Sequence, residues 1–392
     1  MNQPSEKSYS DLQKMLIHFT QQGGSDLFIT AGRPATMKQN SRLINLTEER
    51  IMPPLAIQLC NELMNEEQQA QFQETHECNF AFHIAGIARY RANVFMQRGT
   101  PGMVIRAVQT EIPNFDSLNL PPILKELIME KNGLILIVGG TGSGKSTSLA
   151  SLVDYRNHES EGHIITIEDP IEFVHSHKRS IVTQREVGVD TETYDSALKN
   201  TLRQAPNVIL IGEIRAKETM GHAIAFAETG HLCLSTLHSN NTNQTLDRII
   251  NFFPTDQHAH ILMDLSLNLK AIVSQRLIPK IGGGLIAAVE VLINTPRISE
   301  LILNGQVSEI KQLMQNSQAM GMQTFDQALF KLYEDELVTY EDALRAADSA
   351  NDLRLSIKLN SKRSAPNEET TSGVAAEKTQ FQLKTDPTNS EN

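Results

Sequence analysis

The octapeptide Gly139-Gly140-Thr141-Gly142-Ser143-Gly144-Lys145-Ser146 restricts the fold of this chain more than any other stretch. It satisfies G-x-x-x-x-G-K-[ST] in full, follows the apolar run 134–138 and precedes a segment, 146–155, with helical character. The glycines let successive backbone N–H groups wrap phosphate oxygens with no Cβ in the way. Lys145 adds positive charge between the β- and γ-phosphates, and the Ser146 hydroxyl is a ligand for Mg2+. The start of the following helix favours the anion. Strand, glycine loop and helix in that order predict a nucleotide site on an α/β sheet.

The rest of the pattern agrees with such a sheet. Continuous apolar runs at 134–138, 164–167, 208–211 and 232–234 alternate with helical stretches, as expected for parallel strands buried on both faces. Upstream the pattern is mixed. Leu12, Met15, Leu16 and Phe19 recur at helical spacing over 9–22, and 26–30 reads as a strand. Residues 47–75 read as helices opened by a Thr47 cap, and alternation through Phe80, Phe82, Tyr90, Phe95 and Ile105 reads as strands. That mixture predicts a small α+β domain. The 392 residues exceed a single core, and they divide into an N-terminal domain at 1–110, a linker at 111–122, a core at 123–360 and a polar tail at 361–392, expected to be disordered. Thr324 with Gln327, and Ser349 with Asp352, read as starts of late helices.

Composition removes several function classes. Lys plus Arg is 35 against 46 for Asp plus Glu, a net charge of −11, which argues against non-specific nucleic-acid binding. Trp is absent, so base-stacking platforms are hard to build. The three cysteines, Cys60, Cys78 and Cys233, are far apart and read as reduced buried thiols. No run approaches the ~20 apolar residues of a spanning helix, and the first residues lack a signal-peptide core, so the expected location is cytosolic unless a partner holds the chain at a membrane.

A phosphate loop alone does not separate a kinase, a GTPase, a transporter subunit and a motor. The acids beyond it are Glu168-Asp169-Pro170-Ile171-Glu172, after the second apolar run, and Glu213, after the third. Strand ends in such sheets meet the ligand, and acids there can hold Mg2+ through water or activate the attacking water. A plain turn is the rival reading of Asp169-Pro170, and a surface acid that of Glu213. His231 and His238 flank the fourth run and are either γ-phosphate sensors or hydrogen-bonded core residues. His175, His177, His258 and His260 have no zinc spacing and read as surface groups.

The order of phosphate loop, IEDPIEF, LRQAPNVILIGEIR and ETGHLCLSTLH resembles the secretion ATPases of type II secretion and type IV pili. In that family these are the Walker A motif, the Asp box, the Walker B motif and the His box. The likeness spans about residues 20–350 and includes GGSDLFITAGRP and RYRANVFMQRGTPGMVIR. It implies a RecA-like P-loop ATPase core with a smaller α+β PAS-like N-terminal domain, assembled as a homohexamer that uses ATP and Mg2+. By motif match Gly139 through Thr147 hold phosphate, with Lys145 and Ser146 at the phosphate and the metal, and Glu213 is the catalytic glutamate. Glu168, Asp169 and Glu172 form the Asp box, and His231 and His238 couple nucleotide state to the ring. Arg89, Arg91, Arg98 and Arg106 match the stretch whose arginines reach the nucleotide. Surface charge is the rival reading of each.

The departures point to a branch. Assembly ATPases carry a four-cysteine zinc element, which three scattered cysteines cannot supply. The C-terminal signature of the retraction branch is altered here to Arg297-Ile298-Ser299-Glu300-Leu301-Ile302, keeping the apolar frame and losing an arginine. With the extra tail this implies an accessory retraction ATPase, working with a paralogous retraction ATPase on an inner-membrane pilus platform protein. Asn207 replaces an acid common in relatives, ahead of the strand and away from Glu213. The rivals are the main retraction motor, a secretion or pilus assembly ATPase, a non-catalytic ring subunit and a nucleic-acid translocase.

Overall fold

The structure, a computed structural model, describes residues 10–39, 42–84, 86–108 and 111–363; the polar tail from 364 onward lies outside the described residues. Six strands form a first, antiparallel sheet: β1 (Asp26–Ile29), β2 (Pro34–Gln39), β3 (Arg42–Arg50), β4 (Glu77–Ile84), β5 (Ala88–Gln97) and β6 (Thr100–Val108), in the order β3-β2-β1-β6-β5-β4. The helix Asp11–Gln21 opens on a reciprocal Ser10–Gln13 capping box and buries Leu12, Leu16 and Phe19 against this sheet. β5 and β6 join through Arg98 and Gly99, both at positive φ (48° and 75°), as a two-residue hairpin turn requires.

One expectation fails here. Thr47 does not cap a helix but sits inside β3, where its hydroxyl accepts from Ala35 N at 3.0 Å and donates to Glu49 O at 3.1 Å. Pairing with β2 claims the segment, and the helix waits for Pro53, which suits a first turn because its missing N–H has no partner there anyway.

Seven strands form the second sheet: β7 (Gly133–Val138), β8 (Gly162–Glu168), β9 (Ser180–Glu186), β10 (Val208–Ile211), β11 (Leu232–Leu237), β12 (Leu269–Pro279) and β13 (Leu285–Ile293). Their order is β13-β12-β7-β11-β10-β8-β9, parallel throughout except for the β12–β13 pair. The four apolar runs read from the sequence are β7, β8, β10 and β11. Side chains alternate across the pleat, so Leu134, Leu136 and Val138 join one core while Ile135 and Ile137 join the other with Leu149, Leu152 and Val153 of the helix Lys145–Glu159. Burial on both faces explains the absence of polar alternation in these runs.

Five helices follow, from Pro296–Leu303 to Ala350–Asn360. Thr324 and Gln327 form a reciprocal capping box, and Ser349 accepts from Asp352 N. In the helix Pro296–Leu303 the residues Ile298, Leu301 and Ile302 are buried, while Arg297 and Glu300 pair in solvent at 2.6 Å. The three cysteines are buried free thiols, and burial pushes the Cys60 thiol up to about 12. Among the described residues no helix is long and apolar enough to cross a membrane.

Candidate functional site

The phosphate loop leaves the C-terminal end of β7 and runs into the helix Lys145–Glu159, with Gly142 and Gly144 at φ 75° and 86°. A Cβ at Gly139 would lie 2.4 Å from Ser143 Oγ, and one at Gly144 would lie 2.7 Å from Gln275 Nε2, so the cradle closes only on glycine. Lys145 Nζ donates to Gly139 O and Gly140 O, each at 2.9 Å. Burial draws the Lys145 pKa down, and the charges of Glu213 and Glu172 oppose the shift. Around the loop lies a cavity of about 570 Å³ that Glu168, Asp169, Glu172, Glu213 and His238 share with Thr141 through Thr147.

Every acid in this set stands at or just past the C-terminal end of a parallel strand, where side chains clear the sheet and meet a ligand. Glu213 follows β10. Arg215 Nε donates to its Oε2 at 2.7 Å, and His238 Nε2 lies 3.2 Å from its Oε1. Arg215 also faces Asp169 at 4.0 Å. Thr236 Oγ1 donates to Gly212 O at 2.7 Å, pinning the peptide ahead of Glu213. Glu168, the last residue of β8, accepts from Thr166 Oγ1 at 2.6 Å and Gln184 Nε2 at 3.3 Å. Burial raises its pKa to about 7; those two bonds pull the other way, and the Glu172 and Glu186 charges add to the rise.

The structure brings together Thr141 through Thr147, Glu168, Asp169, Glu172, Glu213 and His238 around the cavity, with Gly139 and Gly140 behind Lys145. His231 is not beside this cavity. It precedes the first residue of β11, near Phe226 O and Thr229 Oγ1, at the opposite edge of the sheet from His238. Six intervening strand residues span about 20 Å. Asn207 lies at that far edge too, bonded to His163 N. The arginines divide: Arg89 and Arg91 face Glu186, Arg106 Nε pairs with Asp26 at 2.8 Å, and Arg98 occupies the exposed hairpin tip. His175 is not a surface group. It is buried on the cavity wall, its backbone N–H held by the Gln184 side chain, and burial lowers its pKa to about 4.

Sequence reading missed Arg215 and Gln275. The first stands two residues past Glu213 in LIGEIR, a spacing that places both on one strand-end turn. Gln275, on β12, accepts from Ser148 Oγ at 2.8 Å and packs on the phosphate loop, across a gap of more than a hundred residues that no local pattern bridges. Next to it Arg276 points the other way, donating to Asn240 O at 3.0 Å and to Ala346 O and Asp348, both at 2.6 Å, beneath the C-terminal helices.

With that geometry in place, the sequence pattern of the family described as Type II/IV secretion system protein matches residues 9–290. The chain belongs to this family. Within the secretion ATPases it is 57% identical to the type IV pilus ATPase PilU of Pseudomonas aeruginosa, over 91% of this chain and 93% of that one. It is 40% identical to the retraction ATPase PilT of the same organism, over 86% of this chain and 98% of PilT. A crystal structure of the pilus retraction motor PilT with bound ADP superposes with a TM-score of 0.83 at 42% identity, covering 89% of this chain and all of that one. The second sheet is thus the RecA-like core of this family, preceded by its N-terminal domain.

Proposed function

We propose that this chain is a PilU-like ATPase that assists retraction of type IV pili and so serves twitching motility. The observation that carries the reading is the 57% identity to PilU, against 40% to PilT, along nearly the whole chain. The altered 297–302 stretch supports the accessory role, and a PilT-like paralogous ATPase is the working partner. The assembly is a homohexamer on the cytoplasmic side of the inner membrane, against a PilC-like platform protein, with no nucleic acid. The domain boundaries are 1–110, 111–122 and 123–360, with the tail after them.

Within the site, the loop N–H groups and Lys145 bind the β- and γ-phosphates of ATP, and the start of the helix Lys145–Glu159 adds its dipole. Glu213 orients the attacking water and accepts its proton, held in place by His238 and Arg215. The resident metal is Mg2+. Among the described residues no cluster of three or more His, Cys, Asp or Glu is arranged to hold a metal alone. The donor set fits an ion that arrives with nucleotide phosphates and keeps waters, with the Ser146 hydroxyl as protein ligand and Glu168 and Asp169 behind it. When bound it neutralises charge on the phosphates.

The ATPase claim is tested by phosphate release from Glu213→Gln, expected to fall about a hundredfold or more while nucleotide binding persists. Equal release from variant and wild type sinks the catalytic assignment. The pilus claim is tested by deleting the chain and measuring retraction with the PilT-like paralogue present and absent; unchanged retraction in both backgrounds defeats it.

A further inference from the structure

Glu186, the last residue of β9, is 1% exposed, and its carboxylate is divided between the two sheets. Arg89 Nη2 donates to Oε2 at 3.3 Å and Arg91 Nε faces Oε1 at 3.4 Å, both from β5 of the first sheet. Ile171 N donates to Oε2 at 3.3 Å from the loop that carries Asp169 and Glu172. These are loose contacts, since charge-assisted bonds of this kind run about 2.7–2.9 Å. The two arginine side chains keep 27% and 35% of their surface exposed, and Arg89 Nε is buried with no acceptor. Two guanidinium charges on one carboxylate also leave positive charge in excess.

Arg91 of this pair opens on a second space that shares one wall residue with the nucleotide cavity. A cleft of about 370 Å³ runs between β5 and the turn after β9, lined by Arg91, Arg106 and Glu186, and Asp169 is a wall of both spaces. The other two arginines of the stretch are placed differently: Arg106 is paired with Asp26, and Arg98 is at the far end of the hairpin.

We propose that Glu186 is a positioning residue, a buried seat that holds Arg89 and Arg91 beside the phosphate site, so that nucleotide phosphate must compete with it for them. The seat ties the first sheet to the Asp-box loop, and handing over the arginines loosens that tie. The inference rests on the ATP-binding reading above and assigns the arginine pair within it.

The test is Glu186→Gln in the full chain, read by titration with a fluorescent N-methylanthraniloyl ATP and by steady-state hydrolysis. The amide keeps the shape and cannot compete as an anion, so binding is expected to tighten about threefold to fivefold and KM to fall without a rise in kcat. In an Arg89→Gln, Arg91→Gln background the same change is expected to leave affinity unmoved. A merely structural role predicts the reverse, weaker binding together with a lower melting temperature. Unchanged or weakened affinity in a folded Glu186→Gln protein overturns the seat. Should that variant not fold, the double arginine variant decides: weaker nucleotide binding supports the seat, and unchanged binding overturns it. Wild-type turnover alongside unchanged Glu186→Gln affinity removes the seat alone, whereas a wild type that neither binds nor hydrolyses ATP removes the ATPase reading as well.

Discussion

Glu168 is held in an environment that opposes its charge, and replacing it by Gln is expected to stabilise the fold while damaging the site. Its pKa rises from the usual 4.5 to about 7 because the cavity wall at the end of β8 desolvates its carboxylate, and the Thr166 and Gln184 bonds only partly offset this. A carboxyl that binds its proton more tightly when folded stabilises the fold fully below about pH 4.5, and this contribution is lost as pH rises through about 7. Each tenfold in proton affinity is worth about 1.4 kcal/mol, so the interval gives about 3 kcal/mol at most. The neighbouring acids Glu172 and Glu186 add to the shift, and an amide buried in the same place recovers only part of the interval, about 2 kcal/mol. Glu168→Gln removes this cost. Thermal unfolding of both proteins across a pH series is the assay. Near pH 8 the variant is expected to melt about 4–8 °C higher, the gap closing as pH falls toward 4.5. A gap that stays constant with pH, or a variant less stable near pH 8, refutes the reasoning. The gain in stability should accompany a loss of turnover, as is common where an active site holds a strained group.

Further outcomes follow from the same geometry. Gly144→Ala places a Cβ 2.7 Å from Gln275 Nε2 at a φ of 86°, and should cost about 1–2 kcal/mol of stability and most nucleotide affinity, measured by melting and nucleotide titration. Thr236→Val removes the bond to Gly212 O and is expected to lower kcat more than it raises KM, because it frees the peptide that aims Glu213. Leu234→Ala, in a fully buried central strand, should destabilise by about 3–4 kcal/mol in urea unfolding with the nucleotide affinity of the folded fraction unchanged.

What the sequence made legible was whatever is local along the chain. The phosphate loop needs only consecutive backbone N–H groups, and the runs that became β7, β8, β10 and β11 announce two-sided burial by composition alone. The capping box at Thr324 and the N-cap at Ser349 each reach only three residues ahead. The Thr47 cap failed because hydroxyls serve strand and helix equally, and pairing with β2 decides between them. His231 and His238 flank one strand symmetrically in sequence, but a parallel sheet has a ligand end and a far end, and only direction along β11 separates them. His175 looked like a surface group because nothing local reveals that Gln184 folds its loop inward. Arg89 and Arg91 meet Glu186 across nearly a hundred residues, so their partner was invisible while their charge was not.

Gln275 and Arg276 are joined by one peptide bond and point to opposite faces of β12. One rests on the phosphate loop through Ser148, and the other secures the turn at Asn240 and the helices at Asp348. A strand is stiff along its length, so these two attachments move as one piece. A shift of the glycine cradle reaches the C-terminal helices through backbone, with no chain of side chains to relay it. The side-chain contacts that can be cut are those at the two ends of this link, Gln275 with Ser148 and Arg276 with Asn240, Ala346 and Asp348. Between those ends, only a break in β12 itself interrupts the link.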